Sequence, residues 1–178
     1  MGTLRGTRGM MLALVGAASL HSTADLGIAE GRCRPEETGP AVIATVEGLK
    51  DRTGILRAEV YPPEDDGFLA DDNVLIGAGR IFRRTVEAVP PRGAPTLCVR
   101  LPAPGSYTLA VIHDRDGNRK FNLSSDGIGF ANNPAIHLSK PRAEAARFFA
   151  GSGITHLTVT LNYRTGLFSF GPLRKPAR

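Results

Sequence analysis

Residues 113–122 read His113-Asp114-Arg115-Asp116-Gly117-Asn118-Arg119-Lys120-Phe121-Asn122, with oxygen-bearing side chains at alternate positions. A loop wrapped around a hard cation turns every second residue inward, and calcium takes several such oxygens. Asp114, Asp116, Asn118, the Lys120 carbonyl and Asn122 match the first five ligand positions of an EF-hand-type loop. Three features oppose that match. Arg119 stands where glycine permits the sharp turn, Ser125 rather than Glu falls at the bidentate position, and Arg115, Arg119 and Lys120 bring positive charge into the loop. Asp126 does lie next to Ser125. The same composition also suits a plain connection, because Asp, Asn and Gly form Asx-turns and tolerate left-handed backbone. Calcium ligation and turn-making are both open readings of this stretch.

His113 beside Asp114 has the chemistry of a general base or a metal ligand. A histidine whose ring is simply satisfied by hydrogen bonds is the preferred reading, since His137 and His156 have no place relative to it in the sequence. No nucleophile elbow, phosphate-binding loop or zinc-ligand spacing is present. A non-enzymatic binding module is thus the first reading. An enzyme using His113 with Asp114, or a purely structural module, is the rival.

These residues need elements to position them. Ala41 to Leu49 (AVIATVEGL) is apolar and β-branched, and Leu56, Ala58 and Val60 alternate with Arg57 and Glu59 in ILRAEVY. Two strands around a polar turn containing Gly54 read as a hairpin, stopped by Pro62 and Pro63. Residues 64–79 are acidic and glycine-punctuated, a long loop with one helical turn. Strands follow over 80–89 and 96–101. Ser106 to His113 is apolar on both faces, as a central strand is. Residues 114–134 read as a polar connection, 143–150 as a short helix or an edge strand, and Thr155 to Tyr163 as a strand. Roughly seven short strands without a long helical period describe an all-β, antiparallel β-sandwich over residues 33–163.

The composition agrees. The chain has 178 residues, 42% hydrophobic and 22% charged, which excludes wholesale disorder, and 21 Gly with 13 Pro favour strands and turns over a helical bundle. Arg5 and Arg8 precede an apolar run, Met10 to Leu20, and Ser22 and Ala24 follow it. This is the layout of a signal peptide over residues 1–24, too short to span a bilayer, so a periplasmic or secreted protein is expected. Loss of that leader removes two Arg and no acid, so the net charge falls from +5 to 20 − 17 = +3. The remaining cations include Arg164, Arg174, Lys175 and Arg178, which read as a basic C-terminal tail over 164–178. Nucleic-acid binding finds no reader motif and no interleaved aromatics. In an oxidising compartment Cys33 and Cys98 would pair; otherwise Cys98 is a buried thiol and Cys33 a free one.

Taken together, VEGLKDRTGILRAEVY, LPAPGSYTLAVIHDRDGNRKFN, DGIGFANNP and HLTVTLNY resemble the bacterial exported family called domain of unknown function 2141, over about residues 42–163. The resemblance implies an immunoglobulin-like or transthyretin-like sandwich in the cell envelope, with no established activity. This chain has Arg119 where the family loop continues with glycine, and Asn122 where Asp is common. The GFANN segment could fold back beside Asp114 and Asp116, so Asn132 and Asn133 join the site candidates. An envelope protein or a ligand is the expected partner, and calcium the one cofactor suggested.

Overall fold

The computed structural model describes residues 21–136, 139–167 and 169–173. The signal-peptide reading rests mainly on residues 1–20, which lie outside the described residues, as do His137 and the cations of 174–178. In chain order the elements are α1 (Ile28–Gly31), β1 (Ala41–Glu47), β2 (Ile55–Tyr61), α2 (Asp72–Gly77), β3 (Arg83–Ala88) and β4 (Thr96–Arg100). There follow β5 (Gly105–Asp114), β6 (Gly127–Phe130), a 3-10 turn at Ala143–Ala146, β7 (Arg147–Ala150), β8 (Ile154–Thr160), β9 (Asn162–Arg164) and β10 (Phe170–Pro172). The fold is all-β, in two sheets.

β1 and β2 are strands, but they do not form the expected hairpin. β1 lies between β4, antiparallel, and β8, parallel, in a three-stranded sheet. β2 lies between β3 and β5 in the other sheet, ordered β10-β9-β6-β5-β2-β3, with β7 paired to the first half of β5. Alternation specifies a strand and its faces but not its neighbour. Here Val42, Ala44 and Val46 of β1 share one buried cluster with Leu56, Ala58 and Val60 of β2, so the two apolar faces cover each other across the core. The parallel β1–β8 pair also departs from the all-antiparallel expectation.

That shared core includes Leu97, Leu109 and Leu161, all essentially inaccessible. Each such side chain contributes about 1.5–3 kcal/mol by leaving water. The larger sheet is covered on its outer face too. Tyr61, Phe68, Leu75, Phe82 and Phe130 form a second buried cluster beneath α2 and the acidic segment before it. Cover on both faces explains the apolar pattern of β5, the expected central strand, which pairs with β2, β6 and β7.

Ten strands stand among the described residues, where about seven were expected. β6 lies inside the stretch read as a connection, and β10 inside the expected tail, paired with β9. The single strand expected over 155–163 is two. Its chain leaves β1 at Leu161, whose amide donates to the Glu47 carbonyl, and enters the larger sheet as β9. Cys33 and Cys98 are bonded, their Cα atoms 5.9 Å apart, tying the segment after α1 to β4.

Candidate functional site

β5 carries the chain to the sheet end and delivers His113 and Asp114 as its last two residues. Successive strand residues point to opposite faces. His113 therefore joins the shared-core face, and Asp114 the outer face. His113 is fully buried: its Nε2 donates to the Thr53 carbonyl at 2.8 Å, and its Nδ1 accepts from the Tyr163 hydroxyl at 2.6 Å. This tautomer is assigned because a carbonyl can only accept. Tyr163 Oη in turn accepts from the Lys50 amide at 3.2 Å, and burial pushes its pKa up to about 12. The imidazole is thus closed on both nitrogens, and no contact joins it to Asp114.

Asp114 meets different company. Its carboxylate, with those of Asp116 and Asp126, offers oxygens that all lie within 4.8 Å of one another. Asp114 Oδ2 accepts the Arg119 amide at 2.6 Å, while Asp114 Oδ1 is buried with no hydrogen-bond donor. Burial raises the Asp114 pKa, helped by a hydrogen bond with Asp116 and the charge of Asp126, and opposed by the Arg119 amide and the charge of Arg57. Asp126 is held by the Arg115 amide at 3.2 Å and the Asn122 amide at 2.8 Å, so its carboxylate staples both ends of the loop. Arg115 reaches Asp51 with its Nε at 2.8 Å. Burial alone would raise the Asp51 carboxyl, but Arg115 and Thr53 together lower it to about 2.

Of the five expected loop ligands, Asp114 and Asp116 bring their carboxylates together, while Asn118 Oδ1 accepts the Lys120 amide at 2.7 Å and Asn122 Oδ1 accepts the Ser124 amide at 3.0 Å. Both are Asx-turns, the alternative reading of the same residues. Asp126 supplies the third carboxylate. The signal for it was the acid beside Ser125, displaced by one residue from the EF-hand spacing.

Asn132 and Asn133 sit elsewhere. β6 runs antiparallel to β5, which carries them toward Leu109 and roughly 17 Å along the strand from Asp114 at about 3.4 Å per residue. Asn132 Nδ2 donates to the Arg147 carbonyl at 2.7 Å; Asn133 grips β8 by the Thr158 carbonyl at 2.9 Å and the Thr160 amide at 2.6 Å. They position strands.

A further group escaped the sequence reading. Arg57, Glu59, Asp72 and Arg84, all buried, form a charged network on the outer face of β2 and β3. Arg84 donates to Glu59 at 2.8 Å and to Asp72 at 3.2 Å, and Tyr61 donates to Glu59 at 2.6 Å. In the sequence these charges simply alternate with Leu56, Ala58 and Val60. Asp72 of α2, the carbonyls of Thr23, Ala24 and Leu26 against Arg84, and the Arg119 carbonyl against Arg57 enclose the network, and nothing local in β2 announces them.

Neither a curated protein nor a solved structure matched the chain. A family model described as "Uncharacterized protein conserved in bacteria (DUF2141)" matches residues 44–158, a span that contains the second half of β1, all of β2 to β5, the whole acidic loop and most of β8. The chain belongs to that DUF2141 family.

Proposed function

We propose that this chain is an exported, non-enzymatic binding module of the bacterial envelope, periplasmic or secreted, whose Asp114–Asp116–Asp126 cluster holds a divalent cation, calcium foremost. The observation that carries the reading is the buried Asp114 Oδ1, which has no donor although two further carboxylates lie beside it. Carboxylates this close need a proton or a cation among them. The cluster offers few free oxygens, since Asp116 and Asp126 also accept hydrogen bonds. Water therefore completes the coordination, and the affinity belongs with weak extracellular sites, around 10⁻⁴–10⁻³ M.

Export is supported by the leader pattern and by a disulfide, which suits an oxidising compartment. Two sheets sharing one core favour a sandwich of immunoglobulin-like or transthyretin-like kind. The rival enzyme reading loses its dyad, because His113 and Asp114 lie on opposite faces of β5.

Calorimetry with calcium chloride at pH 7 tests the cation. Saturable heat and a raised melting temperature are expected, both lost in the Asp114→Asn plus Asp116→Asn variant. A folded wild type giving neither would leave a shared proton as the occupant of the cluster. N-terminal sequencing of protein recovered outside the cytoplasm tests export, with Asp25 as the expected first residue.

A further inference from the structure

The outer face of the larger sheet holds a cavity of about 410 Å³, within the range of about 300–1,000 Å³ that small-molecule pockets occupy. Strand register lays out its floor. Arg57 of β2, Ile112 of β5 and Ile128 of β6 form one row across the sheet. Glu59, Ala110 and Phe130 form the next. The walls are mostly apolar, and Phe121 and Leu123 of the acidic loop stand at the rim, 42% and 46% exposed. Large apolar side chains beside an open apolar cavity mark a place for a ligand. Lys140 also lines the cavity, its ammonium donating to the Phe68 carbonyl at 3.1 Å with donors to spare.

The polar part of the cavity lacks an acceptor. Arg57 is 6% exposed, and its Nε has no hydrogen-bond partner. Its Nη1 donates to the Arg119 carbonyl at 2.9 Å, and its nearest carboxylate, Glu59, is 3.6 Å away. Both Glu59 oxygens are already engaged, one by Arg84 and the other by Tyr61. A buried guanidinium N–H without an acceptor costs free energy until one is supplied. The chemistry that suits this guanidinium is therefore an acceptor, preferably an anionic one, with apolar surface beside it for a hydrocarbon body.

We propose that this cavity binds a single-chain aliphatic carboxylate, its head on Arg57 and Lys140 and its chain along Ile112, Ile128, Phe121 and Leu123. The site is separate from the Asp114 cluster and does not depend on a cation there. A carboxylate fits a guanidinium edge better than any neutral head does. Each CH₂ taken into the cavity should tighten binding about threefold to fourfold.

The test is calorimetry of the whole protein in EDTA with sodium octanoate, nonanoate and decanoate below their micelle concentrations. Decanol and decyltrimethylammonium serve as head-group controls. Saturable one-to-one binding that strengthens with each CH₂, with decanol at least tenfold weaker and the ammonium weaker still, is expected. Arg57→Met should lower decanoate affinity at least tenfold. Because that change also disturbs a buried network, the exposed-site variants Lys140→Ala and Leu123→Ser provide a second reading, each with a threefold or greater loss, Leu123→Ser with an unaltered melting temperature and Lys140→Ala losing only its bond to the Phe68 carbonyl. Absence of binding by folded wild type, equal binding of the ammonium, or indifference to both exposed-site variants would overturn the proposal.

Discussion

The guanidinium of Arg57 donates to the main-chain carbonyl of Arg119 at 2.9 Å, joining the middle of the larger sheet to the tip of the acidic loop. The amide of that same Arg119 donates to Asp114. Three buried side-chain atoms among the described residues lack a partner, and Arg57 Nε and Asp114 Oδ1 are two of them. One peptide unit thus sits between two buried polar atoms without a partner, one a donor and the other an acceptor. Both lie on β5 and β2, strands that are themselves deeply paired. Polar groups held on rigid elements make more precise binding sites than groups on free loops.

The acidic cluster should be self-repelling without a cation. Asp116→Asn is expected to leave the calcium-free protein as stable as wild type, or up to about 1 kcal/mol more stable, while abolishing the stabilisation that calcium gives. Melting in EDTA and in millimolar calcium, for both proteins, checks this. A variant less stable in EDTA by several degrees would show that Asp116 serves its Asn118 turn alone.

Two carboxyls should shape acid stability in opposite directions. The Asp114 pKa is raised by burial, so the folded state holds its proton more tightly than the unfolded chain. Its contribution is complete below about 3.8, the ordinary Asp value, and is lost as pH climbs through the raised value. Asp51 is lowered to about 2, so its contribution is present above 3.8 and is lost as pH falls toward 2. Melting curves in EDTA from pH 2 to 7 should lose the decline above pH 4 in Asp114→Asn, and part of the acid-side decline in Asp51→Asn.

Arg119 has φ +64°, in the left-handed region that costs a side chain-bearing residue about 1–2 kcal/mol. Its one side-chain partner, Asp25, is exposed, and such pairs contribute little. Arg119→Gly should therefore stabilise the fold by up to about 1 kcal/mol without touching the amide–Asp114 or carbonyl–Arg57 bonds. Urea unfolding measures it. A destabilised variant would mean that the arginine side chain contributes more than its single exposed ion pair suggests.

Tyr163→Phe removes the donor to His113 Nδ1 and the acceptor for the Lys50 amide, leaving a buried imidazole nitrogen unpaired. A loss of about 1–3 kcal/mol is expected in urea unfolding. An unchanged midpoint would require His113 to find another partner, visible as a changed imidazole nitrogen shift in NMR.

The Cys33–Cys98 bond closes a separation of 65 residues. Replacing both cysteines by alanine should cost about 2–4 kcal/mol, the usual range for a disulfide, with chain entropy for a loop of this size setting an upper figure of about 4.3 kcal/mol. Thermal unfolding with and without reductant, on wild type and the double variant, measures it. Only the wild type should respond to reductant.

Much of this fold was legible because periodicity reports faces. The doubly apolar β5, the single turn at Asp72–Gly77 and the shared-face set Val159, Leu161 and Tyr163 follow from the pattern of side chains. Pairing partners were not legible. The link from Gly48 to Gly54 reads as a turn whether the chain doubles back in one sheet or crosses to another, and core burial decides between them. The site was half legible for a related reason. Asp114 and Asp116 alternate in sequence and converge in space, but Asp126 arrives through a loop that its own carboxylate closes. What surrounds Arg57 and Glu59 was not legible, because it comes from distant segments: the Arg119 carbonyl meets Arg57, and Arg84 meets Glu59.

The parallel pairing of β1 with β8 has a consequence for the order in which the chain can be made. Among the described strands β1 is the first to leave a ribosome, yet its neighbours arrive only with residues 96–100 and 154–160. Until Thr160 has emerged, that strand keeps one bare hydrogen-bonding edge, and its Val42, Ala44 and Val46 face stays incompletely covered. The three-stranded sheet is therefore completed only by β8 rather than growing strand by strand, and the stretch from β1 to β8 stays open to self-association until then.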